Sequence, residues 1–168
     1  MNILLPFGTV VLNIASVALL VSLIWRLPLA KWVGRYALML GFLLSLSAVL
    51  GSLYYSEIIG FEPCVLCWWQ RIAIYPLLVL FTVALISKDR GVFRYVLPFS
   101  VITAILAVYQ SYIQWGGNPL IPCGTAVSCT KLYVYEFGYI TIPTMSLSIA
   151  FAMILLWWAN KANESRHS

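Results

Sequence analysis

Charge is what this chain has least of. Only 9% of its 168 residues are Asp, Glu, Lys or Arg, whereas 62% are hydrophobic. Soluble domains carry about 25% charge, so a water-soluble globule is excluded and a chain dissolved in a bilayer is implied. The net charge of +5 does not point to nucleic acid, because the basic residues are spread between apolar runs instead of gathering on one face. Histidine is almost missing: the single His167 lies in the polar tail, and the CxxC at Cys64 and Cys67 is followed by Trp68, not by the histidine of a haem attachment site. There is no iron–sulfur spacing and no glycine-rich dinucleotide loop. Internal repeats and low-complexity segments are also lacking. No Lys or Arg precedes the first apolar run, where a secretory signal peptide would carry its positive region, so that run is expected to be a retained helix.

What is present is a series of five apolar runs, at residues 7–25, 36–56, 68–87, 95–115 and 140–158. At 1.5 Å per residue each is long enough to cross a hydrocarbon core of about 30 Å. Asn13 in the first run reads as a helix–helix contact, and Gly41, Ser45, Ser47, Ala48, Gly51 and Ser52 offer small-residue packing surfaces on the second. Pro76 is expected to kink the third. In a five-span arrangement Arg26, Lys31, Arg35, Lys88, Arg90, Arg94, Lys161 and Arg166 fall on one side, and only Arg71 and Lys131 towards the other. The positive-inside rule makes the first side cytoplasmic, with the N-terminus outside and the C-terminus in the cytoplasm.

That orientation puts all four cysteines on the oxidising side, where disulfides form and persist. Cys64 and Cys67 stand at the mouth of the third run. A helix starting near Pro63 would hold them at its N-terminus, where unpaired amides favour thiolate over thiol. Arg71, four residues after Cys67, shares its helical face. Two other readings of these residues stay open: Arg71 as a cation snorkelling to the headgroups, and a zinc site built from all four sulfurs. Cys123 and Cys129 lie in the only long loop, residues 116–139, among the turn residues Gly116, Gly117, Asn118, Pro119 and Pro122. A disulfide between them would close a small loop, either as a purely structural bond or as an exposed one open to an external thiolate. With two pairs a relay follows from thiol–disulfide exchange, and the electrons must then leave the chain. An acceptor that dissolves in the bilayer is what remains, and a quinone meets that description. Arg71 could hydrogen-bond a quinone oxygen and steady the developing anionic charge. Trp68 and Trp69 could flank its ring, though interface anchoring accounts for them equally, and Tyr133, Tyr135, Phe137 and Tyr139 read as an interfacial aromatic belt.

The run Cys64-Val-Leu-Cys-Trp-Trp-Gln-Arg71-Ile-Ala-Ile-Tyr-Pro76 resembles the signature of the DsbB/BdbC family of membrane thiol oxidases, in its BdbC-type form. Gly51-Ser-Leu-Tyr-Tyr-Ser-Glu57 and Ile140-Thr-Ile-Pro-Thr-Met-Ser-Leu147 extend the resemblance over about residues 36–158. It implies a four-helix transmembrane bundle at 36–158; taken with the five apolar runs, the expectation is an all-α integral membrane protein with an additional N-terminal transmembrane helix and cytoplasmic loop at 1–35 and a cytoplasmic tail at 159–168. It further implies a quinone cofactor (ubiquinone or menaquinone) and a soluble, DsbA-like thioredoxin-fold partner outside the cytoplasmic membrane. By the same resemblance Cys67 faces the quinone, with Arg71 and Gln70 as its other candidate contacts. Cys64 exchanges with the loop pair, Cys123 forms the mixed disulfide with the partner, and Cys129 completes that pair. The first span has no counterpart in the family's four, and the five-residue loop spacing departs from the wider DsbB one. A vitamin K epoxide reductase-like quinone reductase and a non-enzymatic scaffold with structural disulfides or zinc are the competing functions.

Overall fold

The computed structural model describes residues 4–118 and 129–164. Six α-helices account for most of them: α1 (Leu4–Ile24), α2 (Pro28–Arg35), α3 (Ala37–Leu53), α4 (Val65–Ser87), α5 (Phe93–Gln114) and α6 (Ile142–Glu164). Among the described residues there is no β-strand, only an isolated bridge between Glu136 and Ile140. Five helical segments are long and apolar enough to cross a membrane, and they coincide with the five runs to within a few residues. Their outward faces carry large apolar side chains such as Val17, Leu43, Val79, Ile86 and Ile105. Apolar surface on this scale belongs against lipid.

Local chemistry explains the boundaries. Pro6 falls in the first turn of α1, where amides have no helical partner to lose. Arg26, at a φ of 54°, turns the chain back, and Leu27 is extended as a residue before proline must be. Pro28 then opens α2. The segment with Lys31 and Arg35, expected as a plain loop, is thus a short amphipathic helix. It buries Ala30, Val33 and Gly34 and exposes Trp32. At the far end of α3 the helix widens into a π-turn over Tyr54–Ile58, with the Ile59 amide reaching the Tyr54 carbonyl at 3.1 Å. Helix α4 starts after Pro63, with extended Cys64 at its N-cap, and runs unbroken through Pro76 to Ser87. At the start of α6, the Thr141 amide donates to Thr144 Oγ1 (2.7 Å) and the Thr144 amide donates back to Thr141 Oγ1 (3.5 Å). This is the reciprocal logic of a capping box, made with two threonines.

Helices α3, α4, α5 and α6 form a closed ring of four, each packed on the next and α6 back on α3. Their shared core includes Leu77, Phe81, Val96, Met153 and Leu155, with Phe81 and Phe93 meeting edge to face at 5.7 Å. Gly41 lets α3 approach α4 closely, since a Cβ there would overlap the Phe81 ring. Helices α1 and α2 lie outside the ring and pack mainly on α6. Gly34 has a similar part in α2, because a Cβ there would stand 2.7 Å from the Ala159 carbonyl oxygen. Arg90 ties this end together, donating to the carbonyls of Gly34 (2.8 Å) and Arg35 (2.9 Å) and to Asn160 Oδ1 (2.7 Å). The described cysteines are at the opposite end of the ring, where α4 begins.

Candidate active site

Cys64 is in extended conformation just ahead of α4, and Cys67 is in the first helical turn, so the backbone brings the two sulfurs to 3.0 Å. Both are free thiols, separated by about 1 Å more than a disulfide bond. Cys64 is only 5% exposed. Its proton is held well above the ordinary thiol range, first by the hydrogen bond to the Cys67 sulfur and then by burial.

Beneath the pair lies a buried amide relay. Gln70 Nε2 donates to Gln110 Oε1 at 2.8 Å, and Gln110 Nε2 reaches Cys67 Sγ at 3.4 Å and Cys64 Sγ at 3.5 Å. One carboxamide nitrogen has two hydrogens, so it can serve both sulfurs. Gln70 and Gln110 are 5% and 3% exposed, which commits each to these partners. Gln70 was expected at the cofactor; it lines the same cavity as Cys67, but its amide nitrogen is turned to Gln110. Gln110 is a site residue that the motif does not contain.

The two cysteines differ in what else they meet. Cys64 is buried in a hydrophobic cluster with Leu66, Ile113 and Cys129, against which Cys67 also packs, and Cys129 is engaged in a disulfide. Cys123 lies outside the described residues. Cys67, by contrast, lines a cavity of about 470 Å³ enclosed by α1, α3, α4, α6 and the chain around Phe61–Pro63 and Tyr133. Arg71 lines it one turn further down, donating to the Ser52 carbonyl at 3.2 Å while its guanidinium covers the Trp68 ring at 5.3 Å. Arg71 is accordingly turned to the cavity wall and to α3.

Above Arg71 the cavity is roofed by aromatic rings. Tyr55 lies parallel to Phe61 at 5.8 Å, and Phe61 stacks on Tyr133 at 4.6 Å. Tyr133 is pinned by its hydroxyl to the Glu62 carbonyl (3.2 Å) and covered by Lys131 at 4.7 Å. It therefore belongs to the site as well as to the aromatic belt, whereas Tyr135, Phe137 and Tyr139 are exposed. Trp68 and Trp69 are also exposed, and neither lines the cavity. The aromatic walls are Tyr55, Phe61, Tyr75 and Tyr133 instead. Two hydroxyls among the lining residues, on Tyr55 and Ser146, are buried and have no hydrogen-bond partner.

A multi-span helical bundle with a close-set dithiol at its mouth and a disulfide-bonded cysteine packed beside it defines a membrane disulfide oxidoreductase. The family model described as "Disulfide bond formation protein DsbB" matches residues 34–160. "Probable disulfide formation protein C 2" of Bacillus cereus is 36% identical over 137 residues, which are 81% of this chain and 99% of that protein. "Disulfide bond formation protein C" of Bacillus subtilis is 43% identical over 115 residues, 67% of this chain and 83% of that protein. The "SPbeta prophage-derived disulfide bond formation protein B" of the same species is 41% identical over 125 residues, covering 74% and 83% of the two chains. No solved structure gives a significant match. The chain belongs to the DsbB family of disulfide bond formation proteins. Helix α1 and most of α2 lie ahead of the family match.

Proposed function

We propose that this protein re-oxidises a soluble, DsbA-like thioredoxin-fold dithiol partner outside the cytoplasmic membrane and passes the electrons to membrane quinone. The observation that carries the reading is the position of Cys67. It is 3.0 Å from a buried partner sulfur on one side and on the wall of a lipid-level cavity, with Arg71, on the other.

The sulfur chemistry balances without any further reactant. A thiolate of the reduced partner attacks the loop disulfide at Cys123, forming a mixed disulfide and releasing Cys129 as thiolate. The partner's second thiolate displaces Cys123, and the partner leaves oxidised, with two electrons and two protons left on the loop pair. A loop thiolate then attacks Cys64 of the oxidised CxxC, Cys67 departs, and the second loop thiolate restores the loop disulfide. Burial of Cys64 and Cys129 in one cluster supports the choice of Cys64 as the attacked sulfur.

The cavity fits a quinone. Its volume lies within the about 300–1,000 Å³ of small-molecule sites, its walls are mainly apolar and aromatic, and its unpartnered hydroxyls suit ring carbonyls. The chemistry such a group supplies when bound is acceptance of two electrons and two protons. Arg71 and the hydroxyls of Tyr55 and Ser146 would hold the carbonyls, and the rings of Tyr55, Phe61 and Tyr133 would cover the face. Gln110 holds the two sulfurs facing each other. The purified protein, given quinone and a reduced thioredoxin-fold partner, is expected to oxidise the partner, and Cys67→Ser to abolish that turnover. Undiminished turnover by Cys67→Ser would overturn the reading.

A further inference from the structure

The cavity has one wall that the family match does not include. Helix α1 contributes Leu5, Gly8, Leu12 and Ala15 to its lining, together with neighbours on the same face. These positions recur at intervals of three and four, so they form a continuous stripe. From Leu4 to Ala15 that stripe descends about 16 Å, roughly half of a hydrocarbon core. The cavity therefore extends along α1, with Cys67 and Arg71 at one end and a mainly apolar lining along α1, in which Thr9 is the polar exception. Room remains in it: a Cβ built on Gly8 meets no atom within 4 Å. Gly8 and Ala15 on α1 and Ser47 on α3 are exposed while also lining the cavity, so the seam between these helices is open towards lipid. Two lining side chains that are more than nine-tenths buried, Tyr55 (6% exposed) and Ser146 (8%), have hydroxyls with no partner in the protein. A carbonyl-bearing head and a long aliphatic tail are what such a space accommodates.

We infer that α1 is the tail-binding wall of the quinone site: the isoprenoid chain runs down the α1 stripe and leaves between α1 and α3, so α1 sets affinity according to tail length. This rests on the quinone reading above. It gives the first span a role in ligand selection, beyond packing on α6.

The test is equilibrium binding in lipid nanodiscs, read by quenching of intrinsic tryptophan fluorescence, with two probes: a tail-less benzoquinone and a quinone bearing several isoprene units. Gly8→Phe fills the stripe. It is expected to weaken binding of the long-tailed quinone by about 10-fold or more, the scale of hydrophobic-pocket discrimination, and to shift the tail-less one far less. Val17→Phe, on the lipid side of α1 away from the cavity, is expected to change neither. As a check independent of any variant, a quinone with a photoreactive group at its tail end should label peptides of α1 in the unaltered protein. An unchanged ratio of affinities in Gly8→Phe, or labelling confined to α3–α6, would overturn the assignment of α1 while leaving the quinone reading intact. Failure of the unaltered protein to bind either quinone would overturn both.

Discussion

At the scale of single residues, the informative one is Gln110. It joins α5 to both sulfurs on α4 and to Gln70 in the same network. Gln110→Leu removes the group that holds the sulfurs face to face and leaves the Gln70 amide buried without an acceptor. The second effect costs about 1–3 kcal/mol, and replacing both glutamines by leucine should recover much of it, because paired apolar replacements avoid the stranded amide. The first effect should not recover. Exchange of the CxxC with a small disulfide is expected to be several-fold slower in Gln110→Leu and to stay slow in the double variant, while denaturant unfolding of the double variant returns towards that of the unaltered protein. Equal exchange rates in all three proteins would reduce Gln110 to a packing residue. Cys64, Cys67 and Arg71 were legible because they lie within about two helical turns of chain, at spacings of three and four residues. Gln110 was not, since it reaches the pair only once α5 is docked on α4, and a lone Gln near a helix end carries no spacing signal. The same holds for Ser146, which comes to the cavity wall only once α6 is docked on the other helices.

At the scale of elements, the long spans could be read directly because some twenty apolar residues in a row have few other solutions in a bilayer. The short α2 could not. Eight residues with two cations and a Gly look like a loop, and what makes them helical is the face formed by Ala30, Val33 and Gly34 against α6. Nor does sequence reveal that α3 ends in a π-turn, which sends Tyr55 over the cavity. Close packing between spans is where glycine decides the outcome. At Gly41 any Cβ collides with Phe81, which is fully buried and has no free space to move into. Gly41→Ala is expected to lower stability by about 1–3 kcal/mol, the cost of overpacking a filled core, measured by thermal unfolding in detergent. Adding Phe81→Leu should return part of that loss, because it removes the ring that the new methyl strikes. A Gly41→Ala protein as stable as the original would mean that α3 and α4 do not approach as closely as described.

At the scale of the whole molecule, the arrangement separates charge from sulfur. The α1–α2 and α2–α3 junctions, the turn at Lys88–Arg94 and the C-terminal end of α6 form one end of the bundle, fastened by Arg90 to Gly34, Arg35 and Asn160. Arg26, Lys31, Arg35, Lys88, Arg94 and Lys161 all sit at that end with it. Cys64, Cys67 and Cys129 are at the other, an odd number of spans away. A cationic end faces the cytoplasm in most multi-span proteins, which would turn the cysteines to the oxidising side that disulfide formation requires. The proposed relay depends on this, because a thiolate exchange with a secreted partner cannot cross the bilayer. In intact cells, a membrane-impermeant maleimide applied after mild reduction should therefore modify Cys64 or Cys67. A cysteine introduced by Lys88→Cys into a chain whose own four are serine should react only after the membrane is opened. If Lys88→Cys reacts from outside while the native pair stays protected, the bundle is inverted. The sulfur pair would then face a reducing compartment, with no partner on that side whose oxidation it could sustain.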